Sequence, residues 1–146
     1  MKDEVLTVMI LRAGELMPEV KAIPHELEKM QELVGGGYFD IVRGEYMLPP
    51  EFEYNVLSKY DIFVNDEGIM RGMEPNICLN HKALKAGDYD HAGLLFGDIF
   101  LARHDGEGDT ISIDHFDIDR LRGTLCCLML MNKSRRKSLE WQPMEY

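Results

Sequence analysis

The chain has 146 residues, the size of one ordinary domain, with 45% hydrophobic and 29% charged residues. That length supports a core without disulfides or a structural metal, and the apolar content excludes wholesale disorder despite a formal charge of -10. The start, Met1-Lys2-Asp3-Glu4, lacks the basic and apolar stretches of a secretory signal, and no window approaches the ~18 apolar residues of a membrane span, so the expectation is a soluble, cytoplasmic protein.

In chain order, residues 5–11 form an apolar, β-prone run that ends at Gly14, and residues 20–23 return after Met17-Pro18 as its hairpin partner. Residues 24–34 put Ile23, Leu27, Met30 and Val34 at helical spacing, with Pro24 early and acids in the first turn, which predicts a short amphipathic helix. Gly35-Gly36-Gly37 stops it, and residues 38–42 read as the next strand. Residues 44–58, with Pro49-Pro50, read as a loop containing one helical turn from Phe52 to Leu57. Residues 60–64 are a strand, Asn65-Asp66-Glu67-Gly68 a turn, and residues 69–73 complete a hairpin before Glu74-Pro75-Asn76. Residues 93–103 supply another buried strand, and residues 104–109 an exposed loop with solvated acids. Ser112 or Asp114 caps a last helix in which Phe116, Leu121, Leu125, Leu128 and Met129 share a face, leading into the basic run 133–137. The pattern predicts an α+β fold: a small mixed or antiparallel sheet with an early short helix and a longer C-terminal helix. It forms a single domain over residues 1–132, followed by a basic tail over 133–146.

These elements follow an order that resembles a small uncharacterised family of phage and conjugative-element proteins. The resemblance rests on a helix ending in Leu33-Val34-Gly35-Gly36, the turn Asn65-Asp66-Glu67-Gly68, the step Gly72-Met73-Glu74-Pro75-Asn76 and the strand Gly97-Asp98-Ile99-Phe100-Leu101. It covers most of residues 4–121, and departs from the family in a third glycine and in Met73-Glu74 where the family has Leu-Pro. It implies an α+β accessory protein of a mobile element in a host bacterial cell, and says nothing about a site.

The residues themselves offer little chemistry. Cys78, Cys126 and Cys127 form no C-x-x-C pair, and the adjacent two sit in the apolar run 125–131, which points to core packing. Among the five histidines, His115 joins the densest acid cluster, Asp114, Asp117 and Asp119, but the spacing fits no standard site; the acids suit the first turn of a helix. The triple glycine lacks the following Lys-Ser/Thr of a phosphate loop. No G-x-S-x-G elbow occurs. The expectation is no enzyme, no metal and no cofactor.

Charge is segregated. From residue 88 to 119 the acids Asp88, Asp90, Asp98, Asp105, Glu107, Asp109, Asp114, Asp117 and Asp119 face a lone base, Arg103. Cations gather instead at Lys133, Arg135, Arg136 and Lys137. A surface of this sign repels nucleic acid and is drawn to basic clefts. The leading expectation is therefore a mobile-element inhibitor of a host defence nuclease, anti-CRISPR-like, whose partner-binding residues are Asp88, Asp90, Asp105, Glu107, Asp109, Asp114, Asp117 and Asp119. A second reading, from another class, is a protein that sequesters a small ligand such as a nucleotide signal, in a homodimer groove near Asn65, Asn76 and Arg71. A hydrolase built on the histidines and aspartates ranks last.

Overall fold

A computed structural model describes residues 4–15, 17–43, 56–78 and 94–125. The first run, β1 (Val5–Leu11), is apolar on both sides of its pleat because both sides are covered: Leu6, Val8 and Ile10 enter one core, Met9 and Leu11 another. β2 (Glu19–Pro24) returns antiparallel, with Ile10 opposite Glu19 and Val5 opposite Pro24. The early helix α1 spans Leu27–Leu33. It is followed by β3 (Phe39–Arg43), a 3-10 turn at Val56–Lys59 and β4 (Tyr60–Asn65). Next come β5 (Pro75–Cys78), β6 (Leu94–Phe96), β7 (Ile99–His104) and β8 (Thr110–Ile111). A 3-10 turn at His115–Asp117 leads into a second helix, α2, over 118–125.

Among the described residues, one antiparallel sheet has the order β2-β1-β7-β4-β3, with β8 added beside β7, and β5 pairs with β6 as a separate ribbon. The structure is thus α+β, with an antiparallel sheet, a short early helix and a C-terminal helix. α1 covers one face, where Met30 and Val34 pack with Leu6, Val8, Ile10, Phe63 and Phe100. Phe39, Phe63 and Phe100 form an aromatic row on that face, the first pair edge-on at 5.2 Å and the second stacked at 4.5 Å. α2 and the ribbon cover the other face, where Leu121, Leu125, Ile77 and Leu95 meet Met9, Leu11, Ile62 and Leu101. Burying each such side chain is worth about 1.5–3 kcal/mol.

Several elements differ from the sequence reading. α1 begins at Leu27 rather than Pro24, because Pro24 still pairs with Val5 and the His25 N–H donates to the Glu4 carbonyl at 2.9 Å, holding the chain extended. Residues 69–73 do not return as a strand. Both edges of β4 are taken by β3 and β7, and the N–H groups of Arg71, Gly72 and Met73 turn back to the carbonyls of Glu67, Ile69 and Gly68. The single strand expected over 93–103 is two, broken at Gly97, whose φ of +85° no ordinary strand residue adopts. The expected loop 104–109 is the tip of a hairpin, closed by a β8 that the sequence did not announce. Phe116, assigned to the buried face of the last helix, is 82% exposed in the 3-10 turn that precedes it. Leu128, Met129, Cys126, Cys127 and the basic tail lie outside the described residues, as do Asp88 and Asp90.

Candidate functional site

The strand registers give the sheet two distinct ends. At one end β1 and β4 finish and β7 begins, with Leu11 opposite Ile99. This end gathers the turns at 12–14, 35–37, 65–72 and 97–98, and so brings together the four motifs that carry the family resemblance. Asn65 is buried, and its Nδ2 donates to the carbonyls of Val34 and Gly36, both at 2.9 Å, while its Oδ1 accepts the Glu67 N–H. The Arg71 guanidinium donates to Gly36 O at 2.9 Å and Gly35 O at 3.0 Å, a cation against the carbonyl end of α1. Asn76, 2% exposed, donates through Nδ2 to Leu11 O at 3.0 Å and Gly97 O at 2.9 Å. Met73 fills the space between the two turns: a Cβ on Gly97 would lie 2.7 Å from its Sδ, and one on Gly35 2.9 Å from its Cε.

Asn65 and Asn76, expected near a ligand groove in a homodimer, are therefore buried fasteners whose amide donors go to backbone carbonyls, while Arg71, also expected there, is exposed and gives two of its N–H donors to Gly35 and Gly36. The concavity at this end lies beside them, with Arg12 and Asp98 on its rim. Arg12 bonds Glu19 at 2.9 Å and approaches Asp98 at 3.7 Å. The Glu19 hydrogen bond is the main cause that raises the Arg12 pKa above its ordinary value. Asp98 also accepts the Ala13 N–H at 3.0 Å, so this acid of the 88–119 stretch faces the end opposite the hairpin.

The other end carries the hairpin between β7 and β8. There Asp105, Glu107 and Asp109 bring their carboxylates within 4.8 Å of one another. The backbone explains why: Asp105 Oδ1 accepts the N–H groups of Glu107 and Asp109, each at 2.9 Å, and the Asp105 N–H donates to Asp109 O at 3.0 Å. None of the three forms an ion pair with a described residue. Like charges this close repel by about 1 kcal/mol per pair in water, and a cation or a cationic surface relieves that repulsion. The donor set is all oxygen, the kind a divalent cation accepts.

The remaining acids separate. Asp119 is exposed. Asp114 is half-buried; it caps the 3-10 turn by accepting the Phe116 N–H at 3.0 Å and lies 3.9 Å from Arg103. Asp117 is 7% exposed and accepts the Tyr60 hydroxyl at 2.7 Å, with Lys59 at 3.7 Å. Its carboxylate is spent inside the protein, which removes it from the expected contact set. The Tyr60 hydroxyl in turn accepts the Asp114 N–H at 3.2 Å. Burial, reinforced by the Asp117 bond, raises the Tyr60 pKa far above that of a free phenol. Sequence reasoning missed this pair because its members stand 57 positions apart with no local pattern linking them.

An antiparallel sheet covered on both faces, with one end fastened by amide side chains and the other carrying an acidic hairpin, defines an α+β domain. Residues 6–125 match the family described as a domain of unknown function (DUF3846), and the chain belongs to that family. No curated protein and no solved structure matches it. Among the described residues no helix is long and apolar enough to cross a membrane.

Proposed function

We propose that this chain is a non-enzymatic protein of a phage or other mobile element that inhibits a host defence nuclease, in the manner of an anti-CRISPR protein. It does so inside the bacterial host by covering a basic nucleic-acid or recognition surface. The observation that supports this reading best is the hairpin tip, where Asp105, Glu107 and Asp109 are held together with no cation paired to them among the described residues. Duplex DNA offers a basic cleft one negative charge per ~1.7 Å of axis. A fixed carboxylate cluster on a chain of formal charge -10 offers the same lysines and arginines the same sign. The mobile-element origin follows from the resemblance of the motif residues, not from the charge.

The experiment is a pull-down with purified CRISPR and other defence nucleases at two salt concentrations, followed by competition with DNA. A salt-sensitive complex that excludes nucleic acid, lost when Asp105, Glu107 and Asp109 are replaced together by lysine, is the expected result. A complex indifferent to that triple replacement sinks the placement, and no complex with any nuclease sinks the function.

A further inference from the structure

α1 does not cover its whole face of the sheet. It lays Met30 and Val34 on the core and leaves a groove against β2. The strand pairing explains the groove wall: Lys21 and Ile23 stand opposite Val8 and Leu6, and so share their face of β2. Lys29 and Leu33 of α1 form the facing wall, and Arg12 and Asp98 close the groove at the fastened end. Its volume is about 570 Å3, within the ~300–1,000 Å3 of small-molecule sites.

The groove is mixed in charge, with Glu32 and Asp98 lining it beside its cations, and is less acidic than the chain as a whole. In a chain of formal charge -10, three cations line this one groove: Arg12, Lys21 and Lys29. Arg12 is held by Glu19, and Lys29 by an exposed partner, Glu32, at 3.5 Å, a pairing that a stronger anion exchanges readily. Lys21 forms no ion pair with a described residue. Ile23, buried, and Leu33, half-buried, supply the apolar part of the same lining.

We propose that the groove binds a small anion that carries an apolar body, with the anionic group at Lys21 and Lys29 and the body on Ile23 and Leu33. A nucleoside monophosphate and a medium-chain carboxylate are the two sources of that chemistry. The site lies apart from the acidic hairpin, so it stands or falls separately from the nuclease reading. The test is calorimetric titration of the full chain with AMP, octanoate, adenosine and inorganic phosphate. Saturable binding of AMP or octanoate is expected, weakened roughly tenfold by Lys21→Glu or Lys29→Gln and strengthened by Glu32→Gln, with the thermal midpoint unchanged. The tighter of AMP and octanoate names the source. Binding unchanged by the hairpin triple lysine variant separates this site from the nuclease contact. No saturable binding of either compound, binding indifferent to both lysine variants, or phosphate or adenosine alone binding as tightly as AMP overturns the proposal.

Discussion

Replacing Asn76 by alanine removes two donors from a place water does not reach. The amide is 2% exposed and ties the last carbonyl of β1, Leu11 O at 3.0 Å, to Gly97 O at 2.9 Å in the turn before β7. Each lost bond leaves a desolvated carbonyl behind, at a cost of about 1–3 kcal/mol apiece. Two together take about 2–6 kcal/mol from a domain whose total stability is about 5–15 kcal/mol. In urea, with a slope near 2 kcal/mol per molar, the midpoint falls by about 1–3 M. Asn76→Asp falls further, because a carboxylate then faces two carbonyl oxygens with no donor between them. Equilibrium unfolding followed by circular dichroism measures both. Midpoints within about 0.5 M of the parent for both variants refute the reasoning, since that outcome means the amide is not a buried fastener.

Tyr60 makes a pH-dependent contribution of definite sign. Its pKa is raised in the folded protein by burial and by Asp117, so the folded state holds the phenolic proton more tightly than the unfolded chain. The stabilisation is complete below the free phenol value of about 10 and is lost as pH rises beyond it. The urea midpoint is expected to drop above pH ~10 in the parent and to drop less in Tyr60→Phe, with one of the six tyrosines titrating late by ultraviolet absorption. Gly97→Ala combines a φ of +85° with a contact 2.7 Å from Met73 Sδ. It should cost about 1–3 kcal/mol, part of which Met73→Ala restores in a double-mutant cycle. Phe116→Ser, at a side chain 82% exposed, should change stability by no more than about 0.5 kcal/mol. A larger loss in thermal unfolding restores Phe116 to the core.

The strands that were legible in the sequence are the ones buried on both faces. β1 and β4 read as continuous apolar runs because Met9 and Leu11 face one helix while Leu6, Val8 and Ile10 face the other. The turn at Asn65–Gly68 was legible because its chemistry is local: Asn65 Oδ1 accepts the Glu67 N–H two residues on. What stayed hidden depended on distant partners. Residues 69–73 carry strand-like side chains, yet the edges of β4 were already occupied. Asp117 looks like a helix-start acid and is instead a buried acceptor for Tyr60. The acids of the 88–119 stretch are close in sequence but not all close in space, because the chain passes from Asp98 at one end of β7 to Asp105 beyond the other.

The central place of β7 also sets the order in which this chain can assemble. β1 and β2 form a local hairpin, but the sheet joins only when a strand made some ninety residues later arrives between β1 and β4, as the Ala13–Asp98 bond across 85 positions and the Thr7–Ser112 bond across 105 show. Such long loop closures make folding slow, in the range of milliseconds to seconds for sheets of high contact order. A nascent chain that has not yet emitted residue 99 presents two apolar strands, each lacking a neighbour along one edge, and those edges are templates for pairing between chains. On a polysome, where many copies wait in that half-made state, the interval before β7 emerges is when those open edges are exposed to one another.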